Sequence, residues 1–383
     1  MPTGFVTRLA ALYAALFVVL GIQLPFFPVW LKAKGLDARM IGVVLAAPLI
    51  VNVFSITVAA RWADRRHALR AAIIAAGAGS VLGYILVGLA AGPLAILAAY
   101  AGAAVMFTPL LPLSDAYALK GLAMHGRAYG PVRLWGSATF ILGSFIAGAA
   151  TDSIPARDLI WLIVAGYLAS ALVALNLAPL PPAPPPAADA QPARTGLLRD
   201  PVFLTGLAAA SLVQASHAVY YSFSVLSWRA SGLDGTTIAA LWALGVIAEI
   251  VLFALHGRLP RFVTPPVLLI VGGIGGALRW SAMALNPSDL WLPVLQLLHG
   301  LSFGATHLGA VGFVASRAPP EQGAAAQGYL AIALGTTMAA MTTLSGLLYG
   351  NFGNLAYAAM ALAAVAGGVA GYIAHRAMRI TAA

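Results

Sequence analysis

The stretch APLPPAPPPAADAQPARTGLLR, residues 178–199, decides how this chain is organised. Its seven prolines favour an extended polyproline II conformation and exclude a helix. Six apolar runs precede it and six follow it, each close to the roughly 20 residues that cross a bilayer as a helix. The sequence therefore predicts an all-α membrane protein with twelve transmembrane helices. An N-terminal six-helix bundle covers 1–177, a cytoplasmic linker covers 178–199, and a C-terminal six-helix bundle covers 200–383.

The composition supports a membrane protein and excludes several other classes. Of the 383 residues, 61% are hydrophobic and 8% charged, whereas soluble domains contain about 25% charged residues. The net charge of +10 does not indicate nucleic-acid binding, because the basic residues lie in short breaks between apolar runs. Without cysteine, disulfides and thiolate sites are excluded.

The predicted spans lie near 5–31, 38–60, 69–90, 94–118, 132–150, 158–177, 201–228, 236–255, 265–285, 290–315, 324–349 and 354–374.

The distribution of Lys and Arg predicts the orientation of the chain. Breaks on the side of the two termini contain 15 of these residues, and breaks on the opposite side contain five. Cytoplasmic loops carry the excess of positive charge. We therefore expect a multi-pass protein of the bacterial inner membrane with both termini in the cytoplasm.

A short internal repeat supports two related halves. The triplet Gly-Leu-Asp occurs at 35–37, before the second span, and again at 232–234, before the eighth. A tryptophan precedes each copy, Trp30 and Trp228. Together with twelve spans and a central linker, this repeat favours a duplicated transporter that binds its substrate near the bilayer midplane.

Three ionisable residues lie inside consecutive spans of the second half: Glu249, Arg279 and His299. Ionisable side chains within a span are costly unless they face a partner or a cavity, so each is a candidate functional residue. One interpretation is a structural Glu249–Arg279 ion pair. The other is proton coupling, because a desolvated carboxylate can take up a proton and release it when an arginine approaches.

A polar stripe follows one face of the seventh span, through Gln214, His217, Tyr221 and Ser224. Such a stripe either lines a cavity or forms hydrogen bonds between helices, and we expect the cavity.

In the first half, Asp115 and Arg133 are the corresponding charges, and Phe140 shares the face of Arg133. A solvated pair near the membrane surface remains the alternative for Asp115. Pro109 and Pro112 predict a break in the fourth span. Asp64 and Arg65, between the second and third spans, fit either a positively charged loop or a cytoplasmic gate.

Several longer motifs resemble the major facilitator superfamily, and within it the proton symporters of the phenylpropionate and lactose permease type. The resemblance covers essentially the whole chain. The matching segments are 24–31 (LPFFPVWL), 112–116 (PLSDA), 129–137 (YGPVRLWGS), 217–224 (HAVYYSFS), 241–249 (LWALGVIAE), 278–280 (LRW) and 298–299 (LH).

The resemblance implies roles for individual positions. Asp115 and Arg133 match a carboxylate–arginine pair that binds substrate, and Glu249, Arg279 and His299 match the coupling and binding cluster. Two positions depart from the sugar permeases. Ser302 replaces a proton-carrying glutamate, so Glu249 or Asp115 becomes the candidate proton carrier. Phe140 replaces the tryptophan that stacks on galactose, which argues against a sugar.

We therefore predict a monomeric proton symporter, not an enzyme, that imports a small organic solute by alternating access. An aromatic carboxylate such as phenylpropionate is favoured, and no cofactor or metal is expected. The alternatives are a symporter for a neutral sugar or nucleoside, a drug exporter, and a membrane-embedded enzyme or lipid-handling protein. The expected substrate-binding residues are Asp115, Arg133, Phe140, Phe27, Gln23, His217, Tyr221, Trp242 and Arg279. The expected proton-coupling residues are Glu249, His299, Asp115 and Arg279, and the expected gating residues are Asp64 and Arg65.

Overall fold

The computed structural model of the protein describes residues 3–124, 126–181, 195–319 and 322–382. Within these ranges the chain forms helices and short turns, without any β-strand. Before the linker the helices are α1 (Thr3–Ala33), α2 (Ala38–Arg65), α3 (Leu69–Leu89), α4 (Pro93–Phe107), α5 (Leu110–Met124), α6 (Gly130–Ser153) and α7 (Ile160–Leu175). After it they are α8 (Pro201–Ala215), α9 (Ala218–Ala230), α10 (Gly235–Leu255), α11 (Pro265–Ala284), α12 (Leu292–Leu297), α13 (Thr306–Arg317), α14 (Gly323–Phe352) and α15 (Ala356–Ala382).

These helices account for the twelve predicted spans. Eleven stretches of the described chain are long and apolar enough to cross a membrane. The last of them, Ala325–Ile380, contains both α14 and α15, which a turn at Gly353–Leu355 separates. The predicted all-α membrane fold is therefore confirmed.

Three spans consist of two helices each. The fourth is α4 followed by α5, with the break at Pro109, where the missing backbone N–H cannot continue the helical hydrogen bonds. The seventh is α8 followed by α9, and the break lies at Ser216 and His217. In the tenth, a π-helical turn at Gly300–Ala305 joins α12 to α13. Breaks and π turns within helices are frequent at functional sites.

The internal Gly-Leu-Asp repeat forms the same turn in both halves. Gly35 and Gly232 have φ values of 87° and 98°, a region that favours glycine. Asp37 and Asp234 then cap α2 and α10, each accepting a 2.8 Å hydrogen bond from the backbone N–H three residues further on. Hydrogen bonds from the backbone and the hydroxyl of Thr237 lower the pKa of Asp234. The repeat therefore reflects two equivalent helix starts.

The chain divides into two compact units, 1–185 with 224–240, and 186–223 with 241–383. The segment 224–240, which ends α9 and begins α10, follows the linker in sequence and packs in the first unit. Of the predicted linker 178–199, residues 182–194 lie outside the described part of the chain.

In the first unit, glycines allow α6 to approach its neighbours closely. A Cβ atom at Gly143 would overlap the carbonyl oxygen of Val18 in α1. At its other end, α6 packs on the turn between α9 and α10, where a Cβ at Gly148 would overlap the carbonyl oxygen of Gly235. An ion pair between Asp152 and Arg229 lies beside this contact.

The second unit has an apolar core between α8, α11, α13, α14 and α15, which includes Phe203, Leu269 and Phe313. Asp200 caps α8 and accepts a 2.7 Å hydrogen bond from Arg317, at the end of α13. Burial by itself raises the pKa of the Asp200 carboxyl, but hydrogen bonds from Arg317 and from the backbone of Val202 outweigh it. The pKa therefore lies below its usual value.

Candidate functional site

The centre of the candidate site is Arg279 in α11, whose side chain is completely buried within the second unit. One guanidinium nitrogen donates to the side-chain oxygen of Gln296 at 2.6 Å. The other terminal nitrogen donates to Nδ1 of His299 at 2.9 Å and lies 3.5 Å from the hydroxyl of Ser302. None of these partners is a carboxylate, although buried charges are usually paired with an opposite charge.

The irregular tenth span places these three partners together. Gln296 lies in α12, His299 follows that helix, and Ser302 lies in the π turn. They are spaced three residues apart, so the winding of this segment brings all three toward Arg279. The site therefore depends on the π turn as well as on the side chains.

Aromatic rings enclose the guanidinium. The carbon at its centre lies 4.5 Å from the ring centroids of both Tyr220 and Trp280. Trp242 stacks on Tyr220, with their ring centroids 4.7 Å apart. The indole N–H of Trp280 donates to Ser216 at 2.9 Å, at the break between α8 and α9. Cation–π contacts of this kind stabilise a desolvated guanidinium.

Two histidines adjoin the cation in defined tautomers. Nδ1 of His217 lies 3.0 Å from the carbonyl oxygen of Gln214, which requires a proton on Nδ1. Its Nε2 therefore accepts from the hydroxyl of Ser302, 3.1 Å away. His299 has the opposite tautomer, because its Nδ1 accepts from Arg279.

Several donors in this cluster have no partner among the described residues. They are Nε of Arg279, Nε2 of Gln296, the indole N–H of Trp242 and the hydroxyl of Tyr357, and all four atoms are buried. Unpaired buried donors are rare and costly. A cluster made of donors suits a ligand that brings acceptor oxygens.

Glu249 lies next to this cluster on α10 and is not a hydrogen-bond partner of Arg279 or His299. A Cβ at Gly245 would lie 3.3 Å from the Cβ of His299, and one at Gly304 would lie 3.7 Å from the Cγ of Glu249. Glu249 therefore packs against the end of the π turn, about one helical turn away from His299. The structure does not contain the ion pair considered between Glu249 and Arg279, and His299 orients toward Arg279 instead of Glu249.

In the first unit, Asp115 is held by tyrosines. Its Oδ1 accepts from the hydroxyl of Tyr13 at 2.5 Å and from that of Tyr129 at 2.8 Å. The guanidinium of Arg133 lies over the ring of Phe17, 4.1 Å from its centroid. The carboxylate–arginine pair that the resemblance implied is thus not formed in this structure, since each group has another partner. Asp115 itself is half-buried.

Three other expected substrate contacts lie inside the first bundle. The side-chain amide of Gln23 forms two hydrogen bonds, donating to the hydroxyl of Tyr100 at 3.2 Å and accepting from that of Tyr167 at 2.9 Å. Phe27 is 1% exposed and stacks on neighbouring aromatic rings. Phe140 is buried, and the aromatic ring beside the guanidinium of Arg133 is that of Phe17. All three side chains are buried within the first bundle in this conformation.

The other expected residues have mixed placements. His217 and Trp242 are buried beside Arg279, and Tyr221 is half-buried and stacks on His217. Asp64 and Arg65 are both exposed at the end of α2, and no ion pair of either is present in the described chain. Among the described residues, no three His, Asp or Glu side chains could hold a metal ion.

Sequence reasoning missed Gln296, Tyr220, Tyr13, Tyr129 and Phe17. Gln296 carried a usable signal, because a polar residue three positions before His299 shares its helical face. The helical spacing gave no such signal for Tyr220, because the break before α9 turns its side chain toward Arg279 and away from the polar stripe of the seventh span. The tyrosines around Asp115 lie far apart in sequence, and only the tertiary fold joins them.

The chain matches the sequence profile of the MFS_1 like family over residues 6–373. It is 34% identical over 367 residues to an Escherichia coli (strain K12) protein named "Probable 3-phenylpropionic acid transporter", covering 94% of this chain and 95% of that protein. It is 27% identical over 313 residues to the maltose permease of Geobacillus stearothermophilus, covering 81% and 78% of the two chains.

The fold is also similar to solved structures. The crystal structure of the nucleoside transporter NupG superposes with a TM-score of 0.84, covering 97% of this chain and 99% of that chain. Their sequence identity is 16%, so this likeness concerns the fold alone.

Proposed function

Because this chain belongs to the MFS_1 like family of major facilitator transporters, we propose that it is a proton-coupled importer of an aromatic carboxylate that works by alternating access. The chain is a secondary transporter and a non-enzymatic permease, as its relatives indicate. The substrate and the coupling ion are the proposed part. We further propose that it resides in the bacterial inner membrane as a monomer. The distribution of Lys and Arg supports the orientation with both termini in the cytoplasm.

The observation that carries the substrate proposal is Arg279. It is completely buried, and its partners are an amide oxygen, an imidazole, a hydroxyl and two aromatic faces. An anionic ligand would supply the missing opposite charge, and guanidinium–carboxylate hydrogen bonds are among the strongest in proteins. Gln296 can add a second donor through its unpaired Nε2. We assign the substrate carboxylate to this pair of residues.

The rings around Arg279 favour an aromatic body on that carboxylate. The ring of Tyr220 lies next to the guanidinium, stacks on Trp242 and makes a tilted contact with Trp280. Aromatic side chains accommodate a phenyl ring by stacking or edge-to-face contact. The name of the Escherichia coli relative, at 34% identity, supports 3-phenylpropionate as the first substrate to test.

We propose Glu249 as the proton carrier. It is a half-buried carboxylate inside a span of the second unit, one helical turn from His299. Ionisable side chains inside a span are candidate functional residues, and a carboxylate there can carry a proton across the membrane. Asp115 is the weaker candidate, because its carboxylate already accepts hydrogen bonds from two tyrosine hydroxyls.

Replacing Glu249→Gln tests the coupling. We expect the variant to lose accumulation of 3-phenylpropionate against its gradient, because the amide cannot take up a proton. It should retain exchange across the membrane when both sides contain substrate. Asp115→Asn is the matched comparison and should retain uphill uptake. Uphill uptake by the Glu249→Gln variant at the wild-type level would contradict the assignment.

A symporter for a neutral sugar or nucleoside is the second candidate. The hydrogen-bonding groups of Gln296, His217 and Ser302 favour it, because they could bind hydroxyl groups. The maltose permease relative, at 27% identity, is consistent with such a substrate.

Transport in proteoliposomes tests the proposed function. Vesicles contain a pH-sensitive dye, and 3-phenylpropionate is added outside without any gradient. We expect internal acidification beyond that of protein-free vesicles, which control for passage of the neutral acid through lipid. A signal with maltose or a nucleoside, and none with 3-phenylpropionate, would overturn the aromatic carboxylate.

A further inference from the structure

An open groove of about 480 Å³ lies in the first unit between α2, α3 and the α4–α5 break. Its walls are almost entirely apolar, and the hydroxyl of Ser55 on its surface is already bonded to Thr108 at 2.7 Å. Several wall residues are strongly exposed, including Phe54 at 71%, Val58 at 66% and Trp62 at 46%. In a membrane span such exposed apolar side chains face the hydrocarbon of the bilayer. In a membrane-spanning chain, a long hydrocarbon can fill such a groove.

The mouth of the groove is basic. Arg61 lies near the end of α2, three residues after Val58, and Arg66 caps that helix, four residues after Trp62, so both arginines lie at the end of the apolar wall. Both side chains are exposed.

Arg65 is also exposed there, and Asp64 is the one acidic residue of this turn. Arg70, in contrast, donates to the carbonyl oxygen of Leu175 and is already engaged. The turn therefore retains a positive balance directly beside an apolar channel.

We propose that this groove binds an anionic phospholipid of the surrounding membrane, with one acyl chain along α2 and α3 and the phosphate between Arg61 and Arg66. Basic residues at the end of an apolar groove between transmembrane helices attract anionic headgroups. Guanidinium groups bind phosphate in a bidentate manner. Trp62 lies between the two regions, and tryptophan is suited to the boundary between hydrocarbon and headgroup.

The charge at the mouth distinguishes this occupant from bulk lipid. An apolar groove alone would accept the acyl chain of any phospholipid. The arginines add a preference for a negatively charged headgroup, and this preference can be removed without altering the groove. The inference does not depend on the transported substrate.

Native mass spectrometry of the purified protein tests the site, with phosphatidylglycerol and phosphatidylcholine of identical acyl chains as the probes. We expect the wild-type protein to retain phosphatidylglycerol at least about fivefold over phosphatidylcholine. The Arg61→Gln/Arg66→Gln variant should lose this preference. The Arg258→Gln/Arg261→Gln variant removes the same charge from an exposed loop elsewhere and should keep it.

A second variant tests the groove itself. Ala75→Phe places a ring in the channel and should reduce the binding of phosphatidylglycerol, with both arginines intact. If that variant does not fold, Val58→Trp blocks the channel from α2, where the side chain is exposed. Equal retention of the two lipids by the wild-type protein would overturn the proposal. So would an equal loss in the two arginine variants, or unchanged binding in the blocked protein.

Discussion

Among single residues, Gln296 offers the most direct test of the carboxylate site proposed at Arg279. Its oxygen accepts from Arg279 at 2.6 Å, while its nitrogen has no partner. The amide thus orients the guanidinium without neutralising it. A neutral partner leaves the positive charge of Arg279 available to a ligand, whereas a carboxylate at position 296 would neutralise it.

Gln296→Glu should therefore abolish the high-affinity transport of an aromatic carboxylate. The new carboxylate pairs with Arg279, so the substrate loses a charge-assisted hydrogen bond, and we expect KM for 3-phenylpropionate to rise about 10- to 100-fold. Initial rates of uptake into proteoliposomes measure the change. Gln296→Met, which is neutral and of similar volume, should raise KM less. An unchanged KM in the glutamate variant would rule out Arg279 as the carboxylate site.

Residue-level prediction from the sequence succeeded for intramembrane charge and failed for pairing. Arg279, His299 and His217 do meet in the structure, because an ionisable side chain in a span must find a partner inside the bundle. Which partner it finds depends on helix rotation and on breaks, which periodicity does not report. Phe27 and Gln23, which were expected at the substrate, are buried within the first bundle in this conformation.

At the scale of helices, the site depends on irregular segments. The break between α8 and α9 turns Tyr220 toward Arg279, and the π turn brings Ser302 within reach of His217. Pro109 made the break in the fourth span predictable from the sequence. The break at Ser216 and His217 has no proline and carries no comparable signal.

The N-terminus of α8 makes the stability of the second unit dependent on pH. The pKa of Asp200 lies below its usual value, so its ion pair with Arg317 stabilises the protein above that usual value of 3.8. The contribution is lost as the pH falls through the lowered pKa of the folded state.

Asp200→Asn isolates this effect, because asparagine keeps the helix cap and removes the charge. We expect the wild type to exceed the variant by up to about 1 kcal/mol at neutral pH, and the difference to vanish in acid. Thermal unfolding of both proteins in detergent, measured between pH 7 and pH 3, reports this difference in stability. A difference that grows as the pH falls would contradict the sign.

The contact between α6 and the α9–α10 turn gives a prediction about Gly148. A larger side chain there would collide with the backbone of Gly235 and open the contact. Thr151, on the same helix, is 8% exposed, and the chain has no cysteine, so Thr151→Cys is a single reporter thiol.

In this background, Gly148→Leu should increase maleimide labelling by at least about fivefold, because overpacking costs roughly 1–3 kcal/mol. Ala149→Leu, whose position is exposed, is the matched control and should leave the thiol shielded. Equal shielding in both variants would contradict the prediction, because it would show that the contact accommodates the larger side chain without opening.

At the scale of the whole molecule, the architecture was the most predictable property. Twelve apolar runs and a proline-rich stretch sufficed, since only helices satisfy backbone hydrogen bonds inside a bilayer. The Gly-Leu-Asp repeat identified two equivalent helix starts, at Asp37 and Asp234. The packing of 224–240 with the first unit was not predictable, because it rests on glycine contacts between segments distant in sequence.

If the buried guanidinium of Arg279 selects a carboxylate, two ligands that differ only in charge must bind with different affinities. Calorimetric titration of the purified protein with 3-phenylpropionate is compared with titration with 3-phenylpropionamide, which has the same shape and no charge. We predict that the acid binds at least about tenfold more tightly than the amide, because only the acid pairs with Arg279. Equal affinity for the two, or binding of maltose or a nucleoside in their place, would contradict the account.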